Sequence, residues 1–540
     1  MKPVHCLERV EMADGILLLQ GWVAVPGMAD MAGAELQLRG RQPDGQPWCI
    51  PIAINRERPD VVAALKLPAS AQRCGFFYYG PMPQGRALEL GLSWPQGESC
   101  LHTWAQEEPR SATHERDARW RHWAYLLRRA AGLVRGGQWR ALAQRARRHL
   151  GTAWSERKAR LRSLPAADLR MDCLIIDHDL GGGANQYRRN WASQAMERGE
   201  NVALLTFSVV SLRYVVYHLQ PGGTQQVMRS MTWSQVLPWL EQARPAHIFF
   251  NNAVSFPHAL ALAQGLAAYK TRQPKTCYLS FAVHDYFAVC PSQHLMNAAG
   301  QYCDLPSPQV CESCMARSQQ AMLPLYRHHG LPAWRQAWGS LLLVADKVLV
   351  FDESAQRILQ RAHPQIADSL QWELRPHTVP ALPATDISRL QQWKSLKTGR
   401  SGRIGVVGAI ESDVKGISRV HALVEAIASS GKPYQVVAIG QLSPKPIDRS
   451  RFVETGPYAA KDLTRLIIEN DIDVFFFASI GPETFSYVLH ELERYQLPIA
   501  AFDLGAQSTF LDRYPWGVRL DLADDAQTIL AKIEPHLQKP

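Results

Sequence analysis

No uninterrupted apolar run in this chain reaches the ~20 residues that a membrane-spanning helix needs. The opening residues, Met1-Lys2-Pro3-Val4-His5-Cys6-Leu7-Glu8-Arg9, lack the apolar core of a secretory signal. Cysteine is sparse, ten in 540 residues, and irregularly spaced except for one cluster. That pattern excludes a disulfide scaffold and fits a reducing compartment, so the expectation is a cytosolic chain. Acidic residues are nearly missing from Arg110 to Arg162, where 15 Lys or Arg face only Glu115, Asp117 and Glu156. The net charge of the whole chain is +10, so this one segment carries all of the basic excess.

What is present is apolar enough to bury several cores: 46% hydrophobic residues and 20% charged, over a length that suits three or four domains. Residues 1–104 alternate short apolar runs with turn signals. Gly15–Ala24, Ala34–Leu38 and Ala87–Leu92 read as strands and Asp44-Gly45 as a hairpin turn, which predicts a small antiparallel β-sandwich. Residues 105–168 place Trp120, Trp123, Leu126, Leu127, Trp139 and Leu142 at helical spacing with arginines on the other faces. Such a basic helical linker suits an anionic membrane surface, with residues 110–162 as the contact. It also suits a solvated linker or a helix packed on the rest of the chain. No nucleic-acid module accompanies the charge.

From Met171 the pattern changes to alternating strands and helices, the signature of α/β domains. Cys173–Ile176, Asn201–Phe207, His247–Phe250, Thr276–Phe281 and Lys347–Phe351 read as strands of a first domain, assigned to residues 169–390. A polar segment, Asp386–Gly402, leads to a second domain at 391–540 that starts with Arg403–Gly408 and contains Val474–Phe477 and Pro498–Phe502.

Four groups of residues stand where chemistry is expected, at the carboxyl ends of strands. Asp179-Leu180-Gly181-Gly182-Gly183-Ala184-Asn185 follows the first strand, and Gly182 and Gly183 would let backbone N–H groups approach a phosphate at a helix N-terminus. It lacks the G-x-G-x-x-G spacing of a dinucleotide site, and a bare turn is the plain alternative. Lys415-Gly416 sits in the loop-to-helix turn after Gly408, where a cation is disfavoured by the helix dipole unless an anion joins it. His284-Asp285 ends the Thr276–Phe281 strand. Glu483 and Glu491, in Pro482-Glu483-Thr484-Phe485-Ser486-Tyr487-Val488-Leu489-His490-Glu491, follow Val474–Phe477, with Glu491 expected about two turns into a helix. Two carboxylates there suit sugar or ribose hydroxyls, although spacing alone favours a solvated helix with two surface glutamates. Separately, Cys290, Cys303, Cys311 and Cys314 include a C-x2-C pair and could close a tetrahedral structural zinc site; buried core cysteines are the alternative.

The E-x7-E stretch, with Leu497-Pro498-Ile499 and Ala501-Phe502-Asp503-Leu504-Gly505-Ala506 after it, resembles family 4 glycosyltransferases, retaining enzymes with the GT-B fold. The resemblance runs from about Met171 to the C-terminus. Gly21-Trp22-Val23, Arg58-Pro59-Asp60-Val61 and Cys74-Gly75-Phe76-Phe77 resemble an accessory β-domain that precedes some bacterial polysaccharide glycosyltransferases. The resemblance implies two Rossmann-like domains facing across a cleft and transfer of a hexose from a nucleotide-sugar donor to a glycan or lipid-linked acceptor in cell-surface polysaccharide synthesis, with no catalytic metal. It implies that Glu483, His284 and Asp285 lie at the reacting sugar, that Gly182, Gly183, Lys415 and Gly416 hold the diphosphate, and that Glu491 and Tyr458 hold the nucleoside. The chain departs from the family at Gly408-Ala409-Ile410, where an arginine would stand, which leaves Lys415 as the main cationic clamp on the diphosphate. A sugar-nucleotide epimerase, a sugar-phosphate synthase and a non-catalytic scaffold share the same two-domain body.

Overall fold

A computed structural model describes residues 2–104 and 171–537, apart from residues 29, 32, 42–44, 83–85, 224, 319, 321, 398, 400 and 447. The basic segment 105–168, and the Asp44 half of the expected Asp44-Gly45 turn, lie outside the described residues.

The N-terminal part holds strands β1 (Val4–Ala13), β2 (Ile16–Ala24), β3 (Glu35–Arg41), β4 (Pro47–Ile52), β5 (Ile54–Arg56), β6 (Gly75–Pro81), β7 (Arg86–Trp94) and β8 (Gly97–Trp104). They form two four-stranded antiparallel sheets, ordered β1-β2-β6-β5 and β4-β3-β7-β8. The strand period of two sends neighbouring residues to opposite faces, and β2 and β6 use both. Leu17, Leu19, Phe76 and Tyr78 join the core between the two sheets. Ile16, Leu18 and Tyr79 point the other way and enter the core of the following domain. There the Tyr79 hydroxyl donates to the Ser255 carbonyl (3.1 Å), and Arg9 donates to the carbonyls of Val209 and Val210 (2.9 and 3.0 Å).

The next domain is built on an eight-stranded sheet of β9 (Cys173–Ile176), β10 (Val202–Ser208), β11 (Arg213–Leu219), β12 (Gln225–Met231), β13 (His247–Phe250), β14 (Tyr278–Ala282), β15 (Lys347–Val350) and β16 (Trp372–Leu374). Its order is β12-β11-β10-β9-β13-β14-β15-β16, parallel from β10 to β16, with the antiparallel β11–β12 hairpin at one edge. β9 is wholly buried, as a parallel strand covered on both faces must be. The hairpin is not among the expected strands.

The polar stretch expected to link the two α/β domains is largely a helix, Ala384–Leu396, whose Leu390 packs into the second domain's core beside Ile467 and Phe475. That second sheet comprises β17 (Arg403–Ile410), β18 (Gln435–Leu442), β19 (Phe452–Glu454), β20 (Val474–Phe477), β21 (Ile499–Phe502) and β22 (Gly517–Leu520), in the order β19-β18-β17-β20-β21-β22 and parallel throughout. The chain therefore has an α/β architecture of two Rossmann-like domains whose strand ends meet, as the GT-B expectation requires.

Each sheet has one topological switch point, where successive strands are added on opposite sides of the first. It lies between β9 and β13 in one domain and between β17 and β20 in the other. Crevices at such points are where open α/β sheets bind ligands.

Candidate active site between the two switch points

Both crevices are lined by expected residues. After β9, Gly181 and Gly182 adopt positive φ (91° and 87°), conformations that cost a side chain energy and that turn the chain into the Gly183–Glu197 helix. After β17, the chain passes through Lys415 into the Ile417–Ser430 helix at Gly416, with φ 80°. A Cβ on Gly416 would stand 1.8 Å from the Ala478 carbonyl oxygen, so glycine is what lets this helix start dock against the end of β20. The Val414 carbonyl reinforces the contact by accepting from Ile480 N–H (3.0 Å) and the Ser479 hydroxyl (3.1 Å).

Glu483 is positioned by its backbone. Its N–H donates to Gln507 Oε1 (3.1 Å), and its carbonyl accepts from Ala506 N–H (2.9 Å) and Tyr286 Oη (3.5 Å). Gln507, fully buried, also donates to the Gly481 carbonyl (2.8 Å). The carboxylate is left to Lys415, whose Nζ lies 3.2 Å away. Lys415 keeps about half of its side-chain surface open, 53%, as a side chain on a cleft wall does. The Glu483 charge holds its ammonium above the usual lysine range. His294 stands within electrostatic reach of both.

The other wall belongs to the first domain. The Thr484 hydroxyl donates to the His284 carbonyl (2.9 Å), which brings the Glu483 loop directly against the His284 loop. Burial, with His377 and His178 nearby, holds the His284 imidazole well below its ordinary pKa, so it is neutral. Its Nε2 lies 2.8 Å from Asn251 Oδ1. Rings continue from it across the cleft. His284 stacks on Phe351 (4.5 Å), Phe351 on His377 (4.1 Å) and His377 on Tyr487 (4.8 Å). Tyr487 then covers Gly183, whose Cβ, if it had one, would be 3.0 Å from the ring.

Gly182, Gly183, His284, Lys415, Gly416 and Glu483 thus converge on one seam. The remaining expected residues stand differently. Asp285 faces inward. One carboxylate oxygen accepts from Asn252 Nδ2 (2.8 Å) and the other from Phe287 N–H (2.9 Å), so it holds the turn that carries His284. Burial pushes its pKa up to about 6. Glu491 is only about one turn into its helix, which begins at Tyr487. Burial pushes its carboxyl up. It neighbours Tyr458, whose hydroxyl is pushed up to about 12 by burial and then by the Glu491 charge.

The four-thiolate site is not formed as expected: among the described residues, no three or more His, Cys, Asp or Glu stand where they could hold a metal ion. Cys311 and Cys314 lie one turn apart on the Pro308–Arg317 helix rather than in a loop that could wrap an ion. Cys311 Sγ turns to the Pro306 carbonyl at 3.7 Å. The thiols are nonetheless neighbours. Burial, then Cys303, Cys311 and Cys314, push the Cys290 thiol up to about 12.

Several residues of the site escaped the sequence reading: Asp177, Arg188, Asn251, Asn252, His377 and Gln507. Asp177 and the Asn251-Asn252 pair directly follow β9 and β13, and polar residues closing an apolar strand at the switch point are the signal that could have found them. His377 and Gln507 carry no such signal.

No protein-family model and no curated protein matches the chain. Among solved structures it is similar to a sucrose-phosphate synthase from Thermosynechococcus elongatus, with 14% identity, 68% of this chain and 89% of that chain covered, and a TM-score of 0.42. It is similar to HepE from Anabaena in complex with UDP-glucose (14% identity, 68% and 89% covered, TM-score 0.40). It is also similar to WaaG, a glycosyltransferase involved in lipopolysaccharide biosynthesis (12% identity, 68% and 90% covered, TM-score 0.44). Likeness this distant carries no chemistry with it.

Proposed function

We propose that the chain is a retaining glycosyltransferase that moves a hexose from a nucleotide sugar to a glycan or lipid-linked acceptor of a cell-surface polysaccharide. The observation that carries the reading is the Lys415–Glu483 pair at the second domain's switch point, pressed against the His284 loop of the first domain. A lysine ammonium beside a helix start and the Gly182-Gly183 turn supply positive potential for a leaving diphosphate, an assistance of the oxyanion-hole type. Glu483, freed from Lys415 when the diphosphate takes its place, faces the sugar. Neutral His284 accepts a hydrogen bond from a sugar hydroxyl, and the Glu491–Tyr458 pair meets the nucleoside. The test is a screen of nucleotide sugars for donor hydrolysis and thermal stabilisation, repeated with Glu483→Gln. Consumption of one donor by the native protein and not by the variant supports the reading. A donor that stabilises both proteins and is consumed by neither would favour a binding scaffold, a reading that the missing arginine after β17 also favours.

Two further parts belong to this proposal. The four neighbouring thiols would close around a structural zinc by turning inward. Metal analysis should then find about one zinc per chain, and Cys311→Ser with Cys314→Ser should lower stability, because such sites contribute folding energy directly. No zinc, with the double variant as stable as the native protein, would overturn it. Residues 110–162 would hold the protein at the cytoplasmic leaflet. Among the described residues no helix is long and apolar enough to cross a membrane. Sedimentation with anionic vesicles, released by high salt and lost on deleting 110–162, is the expected result. Equal binding to neutral vesicles would count against it.

A further inference from the structure

We propose that Asn251 is a positioning residue that fixes the tautomer of His284 and couples it to the glycine-rich turn, so that the imidazole offers a bare Nδ1 to the cleft. The inference deepens the functional reading above and rests on it for the role of His284, although its structural content stands apart.

Asn251 and Asn252 close β13 at the switch point. Both backbone N–H groups donate to the Ile176 carbonyl, the last of β9, at 2.9 and 3.1 Å. The dipeptide is thereby tied to the strand that feeds the glycine-rich turn, and both residues are almost fully buried. Their side chains divide the work. Asn252 Nδ2 donates to Asp285, and its Oδ1 accepts from Val254 N–H (2.9 Å). Asn251 Nδ2 donates to the Ala184 carbonyl (3.1 Å), in the first turn of the Gly183–Glu197 helix. Its Oδ1 faces His284 Nε2 at 2.8 Å. An amide oxygen can only accept, so Nε2 must carry the proton. In a neutral ring Nδ1 is then an acceptor, the form a sugar hydroxyl needs.

Burial pushes the neighbouring Asp177 up to about 7, and Arg188 and this amide work against that shift. Asp177 accepts from Asn185 Nδ2 (2.7 Å) and pairs with Arg188 (3.1 Å), and Asn185 Oδ1 accepts from Gly181 N–H (2.6 Å). One buried network therefore sets both the glycine turn and the His284 ring. Buried networks of this kind specify a single arrangement when every member is satisfied.

The experiment uses the full chain with 15N-labelled histidine, the His284 signals being assigned by their loss in His284→Gln. Native protein should show His284 as one tautomer, protonated at Nε2, with no titration from pH 8 to 6. Asn251→Ala should mix the tautomers. Asn251→Asp, nearly isosteric, places a carboxylate on Nε2 and should bring His284 into titration within that range, since an adjacent anion favours the charged ring. With a turned-over sugar nucleotide, Asn251→Ala should lower kcat about 10- to 100-fold with little change in KM, the size of one or two lost hydrogen bonds. In a His284→Ala background it should have almost no further effect.

A His284 spectrum unchanged by both substitutions, in variants that melt cooperatively, overturns the proposal. So does an Asn251→Ala effect that persists undiminished without His284. The spectra need no turnover. If no nucleotide sugar is consumed while the tautomer responds as described, the functional reading fails and Asn251 keeps its role.

Discussion

Glu483 makes three hydrogen bonds through its main chain, donating one and accepting two, and among the described residues its carboxylate pairs with Lys415. Glu483→Gln should therefore leave folding almost untouched, with a melting temperature within about 2 °C of native, and lower transfer at least about 1,000-fold. Wild-type turnover in the folded variant would remove the carboxylate from the mechanism. Lys415→Met should act on the other side of the same pair. It leaves Glu483 without its cation and should weaken donor binding more than it slows the step that follows, seen as a raised KM. Lowering pH works through other groups. His178, His247, His258 and His363 are held at about 4, and His377 at about 3, chiefly by burial. The unfolded chain takes protons near 6.5 that the folded chain cannot. Their contribution is fully present above that pH and is lost as pH falls from 6.5 toward 4. Asp177 and Asp285, pushed up to about 7 and about 6 by burial, work the other way, but the five histidines outnumber them. Melting temperature should therefore drop across that window, and a flat profile from pH 7 to 4.5 would contradict it.

At the scale of elements, two helix starts are welded to the strand-end loop that carries Glu483. Gly416 meets the Ala478 carbonyl, and Gly505, with φ 54°, would drive a Cβ to 2.7 Å from Pro482 Cα. Gly416→Ala costs about 1–2 kcal/mol for the left-handed backbone alone, and the clash with a carbonyl adds to it. The expected outcome is a destabilised second domain that no longer gains stability from any donor that protects the native protein. Native-like protection would show that the helix start can shift without loss.

Such packing also sets what could be read from sequence. The parallel strands announce themselves as short apolar runs, because both faces are covered and nothing in them alternates; Cys173–Ile176 and Val474–Phe477 are examples. The β11–β12 hairpin is only half hidden: Tyr214–Tyr217 in β11 is a buried apolar run like the parallel strands, but β12, Gln225–Met231, is largely polar and gains its place only at the sheet edge. The Ala384–Leu396 helix hides because just one of its residues, Leu390, is fully buried. Glu483, Lys415 and His284 were legible because each directly follows such a strand or its turn. Asp285 was legible for the same reason, and its carboxylate is engaged by Asn252 and the Phe287 N–H. Asn251 and Gln507 act through partners distant in sequence, and no local spacing encodes that.

For the whole molecule, the N-terminal sandwich is not a bead on a string. Tyr79 buries its ring against Phe207 and donates to Ser255, both in the next domain. Replacing it with alanine should cost roughly 3–5 kcal/mol, the range for deleting a large buried ring. In the native protein, the sandwich and the first α/β domain should unfold as a unit in denaturant. In Tyr79→Ala an earlier, separate transition of the sandwich should appear. Two separate transitions already in the native protein would mean that the shared core couples them weakly.

Tyr487, resting on Gly183, has a consequence in time rather than in structure. If the turn takes the donor phosphate as proposed, the ring lies in its path and must move aside before a donor can enter. A bimolecular encounter that waits on a unimolecular opening has a ceiling. The observed binding rate should level off as donor concentration rises, at the opening rate itself. Tyr487→Ala should lift that ceiling and let the rate climb in proportion to concentration.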